Sequence, residues 1–155
     1  MAPQQLSQRL DELIEAFETL TPQSVSTLAD FYATDARFKD PFNDVRGRAA
    51  IGRIFCHLFA QLEAPRFIVT GRYFGASEPN GESAREIMLR WELRFNSRTM
   101  GHGEQNIVGS TLLQFDDAGQ ITLHRDYWDA AEELFSKLPV LGGLTRALRR
   151  QLAAR

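Results

Sequence analysis

The chain has 155 residues, of which 43% are hydrophobic and 25% are charged, and its formal net charge at pH 7 is -2. This composition is close to that of ordinary soluble globular domains and excludes the disordered and fibrous classes. The charge argues against nucleic-acid binding, because phosphate recognition depends on clustered Lys and Arg. A single cysteine, Cys56, excludes an internal disulfide and a cysteine-based zinc site and favours a reduced, cytoplasmic setting. No apolar run is long enough for a membrane span.

Hydrophobic periodicity predicts two helices at the start of the chain. Leucine, isoleucine and phenylalanine recur at three- and four-residue spacing over residues 4–20, with glutamates between them, which is typical of an amphipathic helix. Thr21 followed by Pro22 is a helix start, because the hydroxyl caps free amides and proline fits the first helical position. It predicts a short second helix, with Tyr32 in its buried stripe.

A third helix is expected between Gly47 and Pro65, where apolar residues again recur at helical spacing. The segment Arg37–Asn43, which precedes it, is too short and too aromatic for a helix. We expect a small strand or a turn there.

The second half of the chain changes to the period of two that is typical of strands. Segments rich in aromatic and β-branched residues, separated by turn sequences, predict an antiparallel meander over residues 66–74, 85–95, 105–115 and 120–128. Asp129 and Glu132 form a capping pair for a last helix. We therefore expect one α+β domain over residues 1–138, followed by a basic amphipathic tail over residues 139–155.

The segment around Asp40 contains the first candidate for chemistry. In an extended segment Phe38 and Asp40 lie on the same side, so the carboxylate shares an aromatic face. Such a face disfavours the charged form of a carboxylate and makes it a better base for a weakly acidic C–H proton. The alternative is structural: Asp40 caps a turn at Pro41, or it pairs with Arg46 or Arg48.

The last predicted strand contains the second candidate. A period of two places His124, Asp126 and Trp128 on one face, so that Trp128 lines a pocket and Asp126 orients His124, deprotonates it or acts as a base itself. The alternative is a charge cluster at the edge of the sheet, in which Asp129 only caps the next helix.

Arg90 and Glu92 share one face of a strand, and they either line a site or form the solvated side of a half-buried strand. The three histidines, His57, His102 and His124, stand in different elements without the spacing of metal ligands. We therefore expect neither a metal nor another cofactor.

The order of elements and three segments resemble the superfamily of nuclear transport factor 2, which includes ketosteroid isomerase, SnoaL-like polyketide cyclases and limonene-1,2-epoxide hydrolase. The segments are FYATDARFKDP at residues 31–41, GRAAI at 47–51 and FDDAGQI at 115–121, and the resemblance covers about residues 6–138. It implies a cone-shaped, strongly curved antiparallel sheet, three N-terminal helices that cover a pocket, and a C-terminal helix. It also implies a small hydrophobic ligand and a homodimer formed through the outer side of the sheet.

Within this resemblance, ketosteroid isomerase implies a role for Asp40. The proton-shuttling aspartate of that enzyme stands in a similar Lys-Asp-Pro segment, so Asp40 matches the general base. The enzyme's two oxyanion donors, a tyrosine and a protonated aspartate, are matched here by Phe17 and Thr111. We therefore expect Phe17, Phe38 and Thr111 in a pocket wall that lacks that oxyanion hole.

The epoxide hydrolase implies a role for Asp126. Its Trp-Arg-Asp-Tyr-Phe-Asp strand is similar to the HRDYWD strand, so Asp126 matches the carboxylate that activates water. An Arg-x-Asp pair on its neighbouring strand is matched by Arg90 and Glu92. Its water-holding tyrosine and asparagine are matched by Phe38 and Asp40, which leaves the water site incomplete.

Three hypotheses follow. The first is a SnoaL-like pocket protein that acts on a small hydrophobic carbonyl compound by proton transfer, with Asp40 as general base and Asp126 or His124 as its partner. The second is epoxide hydrolysis through Asp126, Arg90 and Glu92. The third is a non-catalytic module for ligand binding or dimerisation, because this fold hosts many functions.

Overall fold

Two helices, two strands and a third helix precede four long strands in this computed structural model, which describes residues 3–75, 85–97 and 103–130. The helices in these ranges are α1 (Pro3–Glu18), α2 (Val25–Ala29) and α3 (Arg48–Gln61). The strands are β1 (Tyr32–Lys39), β2 (Asp44–Arg46), β3 (Glu63–Phe74), β4 (Glu86–Asn96), β5 (Glu104–Phe115) and β6 (Ile121–Tyr127). The α+β class and the four long strands predicted from the sequence are confirmed.

The six strands form one curved, unclosed sheet in the order β2-β1-β6-β5-β4-β3. The expected antiparallel meander consists of β3 to β6, in which consecutive strands are neighbours. Strand β1 pairs with β6 in parallel, so the sheet is not antiparallel throughout. Parallel pairing is possible there because a helix and four strands separate the two strands along the chain.

The inner face of the sheet carries the core. Along β4, side chains alternate between the two faces, and the buried set is Ile87, Leu89, Trp91, Leu93 and Phe95. Helix α1 packs its apolar stripe against the same core with Leu6, Leu10, Leu13 and Phe17. Burying one such side chain contributes about 1.5–3 kcal/mol, and this fixes which face of the sheet lies under the helices.

The second helix differs from its prediction. The Thr21 hydroxyl caps a free amide as expected, because the backbone N–H of Ser24 donates to Thr21 Oγ1 at 3.3 Å, but the helix does not start there. The backbone N–H of Thr21 in turn donates to Ser24 Oγ at 3.0 Å. This reciprocal pair makes a turn, and α2 begins only at Val25. Tyr32 is fully buried as expected, but it belongs to β1 instead of the helix. Burial in a short segment does not by itself distinguish a helix from a strand.

The third helix begins where expected and ends earlier. Gly47 has a φ of 90°, which a residue with a side chain rarely adopts, and α3 starts directly after it. Leu62 is already extended, so α3 ends at Gln61 and Pro65 lies inside β3. The predicted last helix and the basic tail fall almost entirely on residues 131–155, which lie outside the described ranges.

Candidate functional site

A cavity of about 440 Å³ lies between α3, the turn after β1 and the inner face of the sheet. Its wall is mostly apolar and includes Phe55, Leu58, Phe67, Trp91, Ile107 and Trp128. A second cavity of about 30 Å³, room for about one water molecule, is lined by Phe17, Thr111 and His124. Asp126 contributes to the lining of both cavities, so its carboxylate lies where they adjoin.

Four hydrogen bonds join five side chains into one chain at this place. The indole Nε1–H of Trp91 donates to Thr111 Oγ1 at 2.7 Å, and the Thr111 hydroxyl donates to Asp126 Oδ1. On the other side, His124 Nε2 lies 2.9 Å from the same Asp126 oxygen. His124 Nδ1 lies 2.8 Å from the Tyr32 hydroxyl. We call these five residues the polar chain.

The direction of these hydrogen bonds follows from Tyr32. Burial raises the pKa of Tyr32 well above its ordinary value, and the negative charge of Asp126 raises it further. The phenol therefore stays protonated and donates a hydrogen bond to His124 Nδ1. The other ring nitrogen, Nε2, then carries the imidazole hydrogen and donates it in a hydrogen bond to Asp126. Asp126 Oδ1 thus accepts from Thr111 and from His124, and the described residues supply no hydrogen bond to Oδ2.

The strand register brings these residues together. Thr111 on β5 lies directly opposite Asp126 on β6, and Trp91 on β4 lies opposite Gly109 on β5. A Cβ atom on Gly109 would lie 2.4 Å from the Trp91 indole, so only glycine leaves room for the ring over the β5 backbone. From this position the indole reaches diagonally to Thr111.

Aromatic rings enclose His124, which is 3% exposed. The centre of its imidazole lies 4.5 Å from the ring of Phe38, 6.0 Å from the ring of Phe17 and 5.9 Å from the ring of Tyr32. Phe38 also lines the large cavity and Phe17 the small one. The imidazole is thereby fixed in one plane, with Nε2 directed at Asp126.

Asp40 lines the mouth of the large cavity, but its carboxylate serves a turn. Its Oδ1 accepts from the backbone N–H of Phe42 at 2.7 Å and of Asn43 at 2.5 Å. The side-chain amide of Asn43 lies 3.0 Å from Oδ1 and 2.9 Å from Oδ2. This is the turn-capping alternative of the sequence analysis, although its partner is Asn43 instead of Arg46 or Arg48.

Arg90 and Glu92 lie on the outer face of β4, away from the cavity. The backbone pairs Arg90 with Ser110 and Glu92 with Val108, both on the outer face of β5. Glu92 accepts from the guanidinium of Arg94 at 2.8 Å. This corrects the expectation that Arg90 and Glu92 line the pocket, and it separates both from Asp126. The physical reason is that side chains alternate between the two faces of a strand, and on β4 it is Trp91 and Leu93 that face the cavity.

Sequence reasoning missed three members of the site. Tyr32 is predicted in a helix, and neither Trp91 nor Gly109 is among the predicted site residues. For Trp91 and Gly109 the signal was available, because the register of a hairpin between β4 and β5 places them opposite each other. No local signal points from Tyr32 to His124, which follows it by 92 positions.

Comparison of structures places the fold among the nuclear transport factor 2-like proteins. An NTF2-like protein from Exiguobacterium sp. 255-15 matches with 14% identity and a TM-score of 0.63, over 78% of this chain and 98% of the other. A ketosteroid isomerase-like fold protein from Catenulispora acidiphila DSM 44928, solved with trimethylamine, matches with 14% identity and a TM-score of 0.66, over 89% and 94%. An NTF2-like protein from Cytophaga hutchinsonii ATCC 33406 matches with 15% identity and a TM-score of 0.59, over 82% and 92%. At these identities the likeness shows the fold alone.

The family is shown by a sequence model. The model of the SnoaL-like domain matches residues 13–124, which is most of the chain. The chain therefore belongs to the SnoaL-like family. No curated protein matches it significantly.

The described residues contain no candidate metal site and no helix that could span a membrane. No group of three His, Cys, Asp or Glu side chains there is arranged to hold a metal ion. Among the same residues, no helix is both long and apolar enough to cross a membrane.

Proposed function

We propose that this SnoaL-like protein binds a small hydrophobic carbonyl compound in the large cavity and transfers a proton of that compound, with Asp126 as the general base. One observation carries the proposal. Asp126 lines the cavity, and its Oδ1 accepts hydrogen bonds from Thr111 and His124. No described residue donates a hydrogen bond to its other oxygen, Oδ2. A base that is fixed through one oxygen and accessible through the other has the geometry that proton abstraction requires.

The chemical step needs no redox partner. Asp126 Oδ2 takes a proton from a carbon next to the carbonyl group, and the electrons of the broken C–H bond move to the carbonyl oxygen to give an enolate. Where the enolate is conjugated with a C=C bond, Asp126 returns the proton to the far carbon of that dienolate. Alternatively, the enolate carbon attacks a second carbonyl carbon within the same molecule, and the alkoxide that forms takes the proton from Asp126. His124 and Thr111 act as positioning residues, because they contact Asp126 and not the reacting carbon.

The enolate oxygen also needs a hydrogen-bond donor. Phe17 offers none, and the Thr111 hydroxyl is already given to Asp126. Among the described lining residues, the candidates are His57 and Gln61 on α3. Both lie on the side of the cavity opposite the sheet, and they are proposed as donors in place of those of ketosteroid isomerase.

Asp40 takes a different role in this proposal from the one expected of it. Three donors from Phe42 and Asn43 occupy its carboxylate, so removing a substrate proton would cost hydrogen bonds of the turn. We propose that Asp40 supplies a fixed negative charge at the mouth of the cavity and does not act as a base. Epoxide hydrolysis is not proposed, because its residue set requires Arg90 and Glu92 beside Asp126.

The test is the exchange of C–H hydrogens in heavy water, followed by NMR on a panel of cyclic ketones, unsaturated ketones and 1,3-diketones. This measurement detects proton abstraction before any product is known. We expect Asp126→Asn to lower the exchange rate by at least about 10²-fold, the usual contribution of a general base. Asp35→Asn is the matched control, since Asp35 is an exposed aspartate of β1 outside the cavity lining.

Two results would contradict this assignment. Equal exchange rates for Asp126→Asn and the unchanged protein would remove Asp126 as the base, and a loss seen only in Asp40→Asn would return that role to Asp40. Exchange that the protein accelerates for no member of the panel would favour the remaining candidate function, a non-catalytic module that binds small molecules. The same cavity supports that function without any base.

We also propose a homodimer formed through the outer face of the sheet, in the cytoplasm. Val108 and Tyr127, which are 36% and 43% exposed, lie on that face at β5 and β6. The exposed thiol of Cys56 suits a reducing compartment. Light scattering should give twice the mass of one chain, and the double change Val108→Lys and Tyr127→Lys should halve it; an unchanged mass would exclude this face.

A further inference from the structure

We propose that the large cavity selects organic cations: a substituted ammonium group binds at its mouth, between the Asp40 carboxylate and the ring pair Phe42–Trp128, and the apolar remainder of the molecule enters the cavity. This inference names a ligand class for the site of the proposed function. Binding of the cation does not depend on the proposed reaction. Only the claim that the bound cation is a substrate of Asp126 rests on the proposed function.

The first argument is the charge of the wall. Two carboxylates, Asp40 and Asp126, belong to the described lining, and none of the described lining residues is a Lys or an Arg. An anionic ligand would therefore be desolvated next to like charges, without a Lys or Arg counter-charge from the described wall. A cation finds two negative groups in the same space.

The second argument is the aromatic content of the same wall. Six Phe and Trp side chains of the described residues line the cavity: Phe38, Phe42, Phe55, Phe67, Trp91 and Trp128. The face of an aromatic ring is the negative part of its quadrupole, and alkylammonium groups bind against such faces. Aromatic rings alone would also suit a neutral ligand, so it is their combination with carboxylates that favours a cation.

The third argument is how the mouth is built. Phe42 is 57% exposed, although its ring contacts that of Trp128, with the ring centres 5.5 Å apart and the planes at 72°. The backbone N–H of Phe42 donates to Asp40 Oδ1 at 2.7 Å. The same turn therefore fixes a carboxylate and an aromatic ring beside each other at the opening.

The nearest basic side chains do not cancel this negative site. Lys39 and Arg125 are paired on neighbouring strands, and together with Asp40 and Trp128 they line an open depression beside the mouth, but neither lines the large cavity. The Lys39 ammonium lies 3.3 Å from a carboxylate oxygen of Asp44. The Arg125 guanidinium lies 4.8 Å from the centre of the Tyr127 ring.

The test compares two probes of nearly the same shape, 3-hydroxyphenyltrimethylammonium and 3-tert-butylphenol, with a smaller third probe, 3-hydroxybenzoate. The first two differ in the charge of one central atom, and the third carries the opposite charge. The readout is tryptophan fluorescence of the 155-residue chain, whose two tryptophans both line the cavity, with calorimetry as a second measurement. We expect the ammonium compound to bind about tenfold more tightly than the neutral phenol, and the benzoate to bind most weakly.

Variants locate the charge that matters. Asn can accept the same backbone hydrogen bonds as Asp in a turn, so Asp40→Asn removes the charge and keeps the fold of the mouth. We expect it to weaken ammonium binding about three- to fivefold, with the affinity for 3-tert-butylphenol unchanged. Asp35→Asn, which removes an equal charge outside the cavity, should change neither affinity.

Equal affinities for the ammonium compound and the phenol, tighter binding of the benzoate, or no binding of the ammonium compound would each overturn the inference. An ammonium preference that Asp40→Asn leaves intact would overturn its placement at the mouth. These outcomes are independent of hydrogen exchange at Asp126. A protein that binds the ammonium probe and exchanges no C–H hydrogen would retain this inference and lose the proposed reaction.

Discussion

Two carboxylates line one cavity, and they are held in different ways. Asp40 receives its hydrogen bonds from the two residues Phe42 and Asn43, within its own turn. Asp126 receives them from Thr111 on the neighbouring strand and from His124, whose other ring nitrogen contacts Tyr32 on β1. The position of the Asp40 carboxylate is set within one turn, whereas the position of the Asp126 carboxylate is set by contacts among three strands of the sheet.

The difference explains why their roles are proposed to differ. A turn carboxylate surrounded by amide donors stabilises a loop and offers a fixed charge, because most of its acceptor capacity is used. A carboxylate that is held through one oxygen by a buried network keeps its second oxygen for a ligand. The pattern of partners distinguishes the two aspartates, although both are polar residues on an aromatic wall.

The largest expected effect that tests this comparison is on stability. Asp126→Ala leaves the Thr111 hydroxyl and the His124 Nε2–H without their acceptor in a buried place, and each such loss costs about 1–3 kcal/mol. We expect the free energy of unfolding in urea to fall by about 2–4 kcal/mol. Asp40→Ala loses hydrogen bonds of a partly exposed turn and should cost about 1 kcal/mol. Equal costs would show that the two carboxylates are held equally, against the comparison.

A smaller effect is expected where the polar chain begins. Gly109→Ala places a methyl group in the position of the Trp91 indole and forces the ring to move, which typically costs about 1–3 kcal/mol. The emission of Trp91 should shift, and its hydrogen bond to Thr111 should be lost. Gly52→Ala is the control, because the nearest atom to its new methyl group is 3.9 Å away, and in the middle of α3 it should stabilise the protein. A Gly109→Ala protein as stable as the original would contradict the packing of this ring.

The sequence predicts those parts of the fold that depend on local patterns. The amphipathic stripe of α1 and the alternation in β4 each identify a buried face directly, and the four long strands lie within a few residues of their predicted bounds. The parallel pairing of β1 with β6 leaves no such trace, because it is a contact between distant segments. The sequence likewise contains no local signal that Tyr32 belongs to a strand.

The sequence likewise predicts those parts of the site that depend on alternation within one strand. The period of two correctly placed His124 and Asp126 on one face, where they are hydrogen-bonded. It gave two possible faces for β4, and Arg90 and Glu92 lie on the one without the cavity. Only the three-dimensional register shows that Asp126 is supported from two sides, since Thr111 precedes it by 15 positions.

The smallest expected effect concerns the far end of the polar chain, and it depends on pH. Burial and the charge of Asp126 raise the pKa of Tyr32 well above its ordinary value of 10.0. In the unfolded chain Tyr32 loses its proton near pH 10, whereas in the folded protein it keeps that proton. The contribution of Tyr32 to stability is therefore complete below pH 10 and is lost as pH rises toward the folded pKa, by about 1.4 kcal/mol per pH unit.

Tyr32→Phe keeps the ring and removes this dependence. At pH 8 it should cost about 1 kcal/mol, the hydrogen bond to His124, and above pH 10 its free energy of unfolding should fall less steeply than that of the unchanged protein. Urea unfolding at pH 8, 10 and 11 measures both effects. Tyr73→Phe, at a side chain that is 58% exposed, should leave the slope unchanged. If Tyr32→Phe and the original protein lose stability in parallel above pH 10, the phenol does not hold its proton in the folded state, and the donor direction assigned to the polar chain is wrong at its first step.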